Sequence, residues 1–282
     1  MSRISFSARS DRGCVRANNE DNLYCAGTML LAESREIPFS LSDELSPPCV
    51  FAVFDGLGGQ AEGERASLLA AQTLQGCEAD ILQADRKTVD DEIQAYVERI
   101  NNLLCKEMCE RSVRMGTTMV LVVVRDNVVY PYTIGDSRVY ALLDGRLRQL
   151  SKDHTYATQK IEMGLITEQE ARKSSDWHKL TICLGVFEDE VTVQADELKP
   201  VNIADYGRFL LCSDGLTDML EDLRIEEILR RAPTADEATG QLLAAAVECG
   251  CRDNITCIVL DILPLDSSPK KFKKFLSGGR SQ

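Results

Sequence analysis

Nowhere does the 282-residue chain hold a run of about 18 apolar side chains, so no membrane-spanning helix is expected. The N-terminus, MSRISFSARSDRG, lacks the apolar stretch of a secretory leader, which points to a cytoplasmic protein. Histidine is scarce, with only His154 and His178, and no CxxC pair occurs, so a structural zinc site is not expected. Positive charge is also in deficit. Lys and Arg total 32 against 45 Asp and Glu, a formal net charge of −13. That field argues against general nucleic-acid binding and against unassisted attraction of phosphorylated ligands. Most of the acidity reads as solvated surface, and carboxylates clustered in a metal site would be neutralised by bound cations. Eleven cysteines are present, an odd number. Without an export signal they read as small buried hydrophobes in a reducing compartment.

What is present fits an ordinary globular chain of one large or two small domains, 44% hydrophobic and 27% charged. Residues 33–48, with prolines at 38, 47 and 48, read as an irregular connection. CVFAVF at 49–54 reads as a buried strand that stops at the glycine-rich DGLGGQ. Helices are predicted over 61–79 and 88–111, the second from the spacing of Ile93, Val97, Ile100 and Leu104. A strand-rich block follows: TTMVLVVV, VVYPYTI, RVYALL and RLRQL, separated by Arg125-Asp126-Asn127, Gly135-Asp136-Ser137 and Asp144-Gly145. Connections this short imply antiparallel pairing. Residues 155–180 read as mainly helical, 190–195 and 208–212 as strands, 224–231 and 235–249 as helices, and 254–262 as a last strand. Cys249 and Cys251 would share one face of a strand. The segregation of strands from helices indicates an α+β fold with two packed antiparallel sheets. Residues 1–263 form the expected domain, and 264–282, with Lys270, Lys271, Lys273, Lys274 and Arg280, a basic flexible tail.

Three pairs at predicted strand ends draw attention: Asp55-Gly56, Asp214-Gly215 and Asp253-Asn254. Each alone is ordinary turn chemistry. If their strands are neighbours, however, the carboxylates converge at one end. Clustered carboxylates raise one another's pKa unless a cation neutralises them, and hard oxygen donors select Mg²⁺ or Mn²⁺. Two such ions can deprotonate a water for in-line attack on phosphorus. The segment SDRGCVRANNEDN adds Arg16, suited to clamping a phosphate, and the carboxylates Glu20 and Asp21.

Taken together, SDRGCVRANNEDN, FDGLGGQAEGERAS, TTMVLVVV, IGDSRVYALLDGRLRQLSKDH, TICLG, FLLCSDGLTDML and CRDNITCIVL resemble the metal-dependent type 2C serine/threonine protein phosphatases, and more closely their bacterial branch. The pieces occur in that family's order from residue 10 to about 262. The resemblance implies a central antiparallel β-sandwich flanked on both faces by helix pairs, with a dimetal site at one end. It implies Asp55, the Gly56 carbonyl, Asp214 and Asp253 as ligands of two Mn²⁺ or Mg²⁺ ions. Asp136 corresponds to a ligand of a third, weaker ion. Glu20 would hold a metal-bound water, Asp21 would support the cluster, and Arg16 would hold the substrate phosphate. The activity implied is hydrolysis of phosphoserine and phosphothreonine in proteins, opposite a bacterial-type Ser/Thr kinase, by a monomer.

Three departures from the family pattern stand out. Leu57 and Gln60 occupy positions where a histidine occurs in relatives, so no histidine acid is expected there and the leaving oxygen would take its proton from a metal-bound water. Ile182 and Cys183 replace an arginine-containing stretch near the substrate entrance. The 34–48 stretch looks like an added surface loop. His154 and the cysteines near motifs, Cys183 and Cys212, read as structural. A catalytically dead phosphoprotein-binding module is the competing reading, and the intact ligand set argues against it. A phosphatase dedicated to an anti-sigma-factor antagonist is a third, but no sensor domain fits in the chain.

Overall fold

The computed structural model describes residues 2–31, 38–58, 62–203 and 207–264. In chain order the elements are β1 (Ser2–Asp11), β2 (Asn22–Cys25), β3 (Thr28–Met29), β4 (Phe39–Leu45), β5 (Cys49–Phe54), β6 (Gly56–Gly58), α1 (Glu62–Gln83) and α2 (Val89–Arg111). Then come β7 (Met115–Thr117), β8 (Met119–Arg125), β9 (Val128–Ile134), β10 (Arg138–Leu143), β11 (Arg146–Gln149), α3 (Tyr156–Glu162) and α4 (Glu168–Ala171). The chain continues through β12 (Asp196–Glu197), β13 (Val201–Asn202), β14 (Gly207–Cys212), α5 (Asp214–Thr217), α6 (Asp222–Arg231), α7 (Ala235–Glu248) and β15 (Ile255–Pro264).

Two antiparallel sheets stack. One runs β11-β10-β14-β15-β1-β4, the other β12-β9-β8-β5-β2-β3 with β13 beside β9. The apolar runs in β5 and β8 are continuous because both faces of their sheet are covered. Phe51, Val53, Val120 and Val122 point into the sandwich against Phe6, Leu211 and Ile258. Their neighbours Val50, Ala52, Leu121 and Val123 point out, under Ala70, Leu74, Val97 and Ile100 of α1 and α2. On the other sheet, Leu210, Cys212, Cys257 and Val259 face outward to α5, α6 and α7. Period-two alternation thus persists, but between two apolar layers. The fully buried Arg208 sits opposite Asp261 in the register, binds it through Nε and Nη2 at 2.6 and 2.8 Å, and donates to the carbonyls of Leu229 and Ala232 at the end of α6. That pairing satisfies a charge that burial would otherwise penalise severely.

The hairpin connections match expectation: Asp126, Asn127, Asp144 and Gly145 all have positive φ, as tight β-turns require. Several expectations need correction. Residues 33–48 are not wholly irregular, because Phe39–Leu45 pairs with β1 and packs Phe39, Leu41 and Leu45 on the sandwich core. The strand escapes notice because its outward positions are polar and prolines flank it. Residues 34–37 lie outside the described residues. The N-terminal β1 is a further strand that the sequence pattern does not announce: Ile4, Phe6 and Ala8 face inward while Ser7 and Arg9 meet Thr239 and Asp236 of α7. Residues 155–180 contain only two short helices, and 190–195 is not a strand. Cys249 caps α7 and Cys251 lies in the loop before β15, so they share no strand. All eleven cysteines are free thiols. The basic segment after Pro264 lies outside the described residues.

Candidate metal centre

The strands that end at the Asp motifs are neighbours, and they end together. β5 pairs with β2 and β8, while β15 lies between β14 and β1. Cys212 pairs with Cys257, Asp11 with Ile255, and Asn22 with Phe54, which puts residues 12–21, 55–56, 213–214 and 253–254 at one end of both sheets. Arg16, Glu20, Asp55, Gly56, Asp136, Asp214 and Asp253 line one cleft there, of ≈ 540 Å³. Asp21 lies just beneath it, 1% exposed.

The backbone holds these groups rigidly. The Asp55 carbonyl accepts from Thr117 Oγ1 at 2.8 Å and Thr118 N–H at 2.9 Å, and the Asp55 amide donates to Thr118 Oγ1 at 3.1 Å. Thr118 in turn meets Ser137, which joins the Asp55 turn to the Asp136 turn. Asn254 acts as a clasp. Its Nδ2 donates to the carbonyls of Arg12 and Asn18, and its Oδ1 accepts from the Glu20 amide at 2.8 Å. Ser213 donates to Asp21 Oδ2 at 2.8 Å. Close backbone approach is built in: a Cβ on Gly56 would stand 2.2 Å from the Gly63 carbonyl oxygen and 2.4 Å from that of Glu20. Arg138 and Asp153, from the IGDSR and SKDH pieces, form a bidentate buried pair. His154 Nδ1 accepts from the Gly135 amide while its own amide donates to the Gly135 carbonyl, so His154 braces the Asp136 turn rather than entering the cleft.

Electrostatically the cleft is a concentration of negative charge. Burial first, then the nearby carboxylates of Asp21, Asp214, Asp136 and Asp253, hold Asp55 well above the usual carboxylate range, although a strip of it stays open to the cleft. Burial and then Asp214 do the same to Asp136. Burial pushes Asp21 up to about 7, against lowering hydrogen bonds from Thr256 and Ser213. Among the described residues, the Asp55 side chain has no hydrogen-bond or ion-pair partner, and Asp136 has none beyond its own backbone amide. Buried carboxylates without partners are costly, and an all-oxygen set of this kind fits divalent Mn²⁺ or Mg²⁺. Arg16, at the mouth, donates from Nη2 to Asp253 Oδ2 at 2.6 Å. It therefore faces the cluster.

Although Leu57 and Gln60 supply no histidine, the cleft contains one. His178 lines it, with Nδ1 3.5 Å from Asp214 Oδ2 and Nε2 3.6 Å from Asp218 Oδ2. The hydrogen bond to Asp214 is the main cause that raises its pKa to about 9. Asp218 was likewise not singled out from sequence. Leu57 lines the cleft as expected of its position, and Gln60 lies outside the described residues. Ile182 is partly buried and packs against the core cluster that α1 and α2 share with the β5 sheet. Cys183, largely enclosed, is pushed up to about 11 and is not an activated thiolate.

The charge cluster has a consequence for pH. Asp21 titrates near its ordinary 3.8 when unfolded and at about 7 when folded, so its ionisation costs stability progressively as pH rises between those values. His178 favours the fold below its ordinary 6.5 and loses that contribution as pH rises through about 9. Both act in one direction. EDTA-treated protein is expected to melt at lower temperature at about pH 8 than at about pH 5.5, and saturating Mn²⁺, which binds the ionised carboxylates, should reverse the order. Differential scanning fluorimetry with and without metal reads this directly. A metal-free Tm that rises over that interval would show that the cluster is not under charge stress.

A sandwich with an acidic, oxygen-lined cleft at its end defines a metal-dependent phosphatase architecture, and the family model described as Protein phosphatase 2C matches residues 40–247. The chain belongs to that family. It is 34% identical over 265 residues to the serine/threonine protein phosphatase PstP of Mycobacterium tuberculosis, a match covering 93% of this chain and 46% of that protein. The chain thus spans about half the length of that relative. It is 31% identical over 259 residues to the serine/threonine phosphatase stp of Listeria monocytogenes, covering 90% of this chain and 94% of that one. The crystal structure of M. tuberculosis PstP/Ppp superposes with a TM-score of 0.75 at 30% identity, over 92% of this chain and 98% of that one. The PstP catalytic domain solved in complex with two manganese ions gives the same score and identity, over 94% of this chain and 100% of that one.

Proposed function

We propose that this protein is a metal-dependent serine/threonine protein phosphatase whose two main ions are held by Asp55, the Gly56 carbonyl, Asp214 and Asp253. The observation that carries this reading is the convergence of buried, mutually repelling carboxylates at one cleft. The two-manganese PstP catalytic domain supports it. When bound, two divalent ions supply a water acidic enough to attack phosphorus at neutral pH. The chain's own residues do the rest. Ser213 holds the Asp21 carboxylate in place, Glu20, close against Gly56 and Gly63, would hold a metal-bound water, and Arg16 would take the phosphate oxygens opposite Asp253. Asp136 would hold a third, more weakly bound ion, a reading supported by its burial among carboxylates in the same cleft. Phosphorylated proteins are the proposed substrates, opposite a Ser/Thr kinase, with the chain acting as a cytoplasmic monomer. Among the described residues no helix is long and apolar enough to cross a membrane.

The test is turnover of phosphoserine and phosphothreonine peptides in Mn²⁺, in Mg²⁺ and in EDTA. Activity that survives exhaustive chelation sinks the reading, as does inertness with every metal. Arg16→Ala is expected to raise KM about tenfold and to lower kcat severalfold, since the phosphate gains charge in the transition state. An unchanged KM would leave Arg16 as a loop residue paired with Asp253.

A further inference from the structure

We infer that a groove beside the metal cleft, between the first turn of α6 and the end of α7, holds the substrate chain next to its phosphorylated residue and selects an apolar side chain there with a Lys or Arg beside it. This deepens the phosphatase reading above and rests on it.

The groove, of ≈ 430 Å³, is continuous with the cleft through Met219, which lines both. Met219 directly follows Asp218, the cap of the α5 turn that Asp214 opens. A chain whose phosphate reaches the ligands can therefore leave the cleft over a thioether, a side chain that adapts to varied apolar partners. Leu223, Ala245 and Cys249 continue the apolar lining.

Leu223 is the residue that core packing does not account for. It is 78% exposed in the first turn of α6. That helix buries Ile225, Ile228 and Leu229. At 3.6 residues per turn Leu223 lies about 120–160° around the axis from all three, on the side of Glu226, Glu227 and Arg230. A single exposed leucine is ordinary on a protein surface. This one lines a concavity that opens into the cleft, which is where a substrate side chain arrives.

Charge selects the neighbour. Arg224, which also lines the groove, is ion-paired with Glu227 at 2.7 Å. Glu221, at the N-cap of α6, and Glu248, the last residue of α7, line it too, and neither has an ion-pair partner among the described residues. The chain's net charge of −13 adds to their field. A Lys or Arg beside the apolar anchor is attracted there and an acidic neighbour is repelled.

The test is kcat/KM in Mn²⁺ on phosphothreonine peptides with alanine flanks. Leu, then Lys-Leu and Glu-Leu, is placed at each position to roughly six residues on either side, about 20 Å of extended chain. On wild type, Leu at positions on one side should raise kcat/KM about tenfold over Ala, chiefly through KM. Lys-Leu there should exceed Glu-Leu severalfold. Leu223→Ala should abolish the preference for Leu, and Leu223→Met, of similar volume, should keep most of it. Glu248→Lys should reverse the order of Lys-Leu and Glu-Leu. p-Nitrophenyl phosphate is too short to leave the cleft, so its turnover should be equal in wild type and Leu223→Ala, which also reports that the variant is folded. A wild type indifferent to the flanks overturns the inference, as does a Leu223→Ala loss shared equally by the small ester and all peptides. A Leu223→Ala variant that changes the sedimenting mass and leaves the flank preference intact would assign the groove to a second copy of the chain and equally overturn it. All these outcomes leave the phosphatase reading standing, whereas a wild type inert on every peptide and on the small ester overturns both.

Discussion

Asp55→Asn is expected to lose about a thousandfold in kcat on a phosphothreonine peptide while the metal-free protein becomes harder to melt. The two effects have one origin. Asp55 stands among Asp21, Asp136, Asp214 and Asp253, and burial and those carboxylates disfavour its ionised form, so the metal-free fold at neutral pH must either keep that charge buried or take up a proton. The neutral amide is nearly isosteric and removes that repulsion. Its backbone anchors, to Thr117 and Thr118, do not involve the carboxylate and survive the change. In a chain of this size each kcal/mol recovered is worth roughly 2–4 °C in Tm. With metal the sign inverts, because an amide oxygen is a poorer ligand for a hard dication and the stabilisation by binding falls with affinity. Paired thermal melts, in EDTA and in saturating Mn²⁺, therefore carry as much information as the rate. Near-normal kcat at saturating Mn²⁺ would remove Asp55 from the metal set. A metal-free Tm below that of wild type would show that its carboxylate makes a stabilising contact instead.

How far the sequence reveals this site depends on how each residue is held. Asp55, Asp214 and Asp253 adjoin strands whose apolar runs are conspicuous, so their meeting at one end follows once those strands are neighbours. Asp136 is legible for the same reason, from the turn between β9 and β10. β1 and β4 are not, because half of each strand is polar and its partner residues come from the far end of the chain or from across a proline-bracketed loop. His178 is the instructive omission. It belongs to no strand or helix, and 36 residues separate it from Asp214. No periodicity places it in the cleft. The TICLG piece that follows is what anchors it: Leu184 bridges to Thr117, and the Thr181 amide donates to the His154 carbonyl. That pinning exists only in the folded chain, so nothing in the sequence alone marks His178 as a cleft residue.

Gly215→Ala should cost at least about a hundredfold in kcat/KM and several degrees in Tm, a penalty that one methyl group rarely carries. From sequence, Asp214-Gly215 reads as a turn in which glycine supplies backbone freedom. The structure assigns it a different task. Gly215 lies within α5 and is absent from the positive-φ glycines. A Cβ there would stand 1.9 Å from the Asn254 carbonyl oxygen, a backbone atom that cannot rotate aside. The α5 turn and the 253–254 segment must then part, and with them Asp214 and Asp253, which belong to those two segments. The Asn254 clasp on Arg12, Asn18 and Glu20 shifts too, so the disturbance reaches every ligand-bearing loop on that side of the cleft. Displacement of reacting groups by about 1 Å is enough for a hundredfold loss. Half-saturation by Mn²⁺ should rise alongside, since the ligands no longer fit one shell. Gly76→Ala provides the control: it lies in α1 with nothing within 4 Å of the added Cβ, so relief of a helical glycine should leave activity unchanged and raise stability by roughly 0.5–1 kcal/mol. If Gly215→Ala and Gly76→Ala behave alike in both melts and rates, close packing between α5 and the 253–254 segment is not what aligns the cluster.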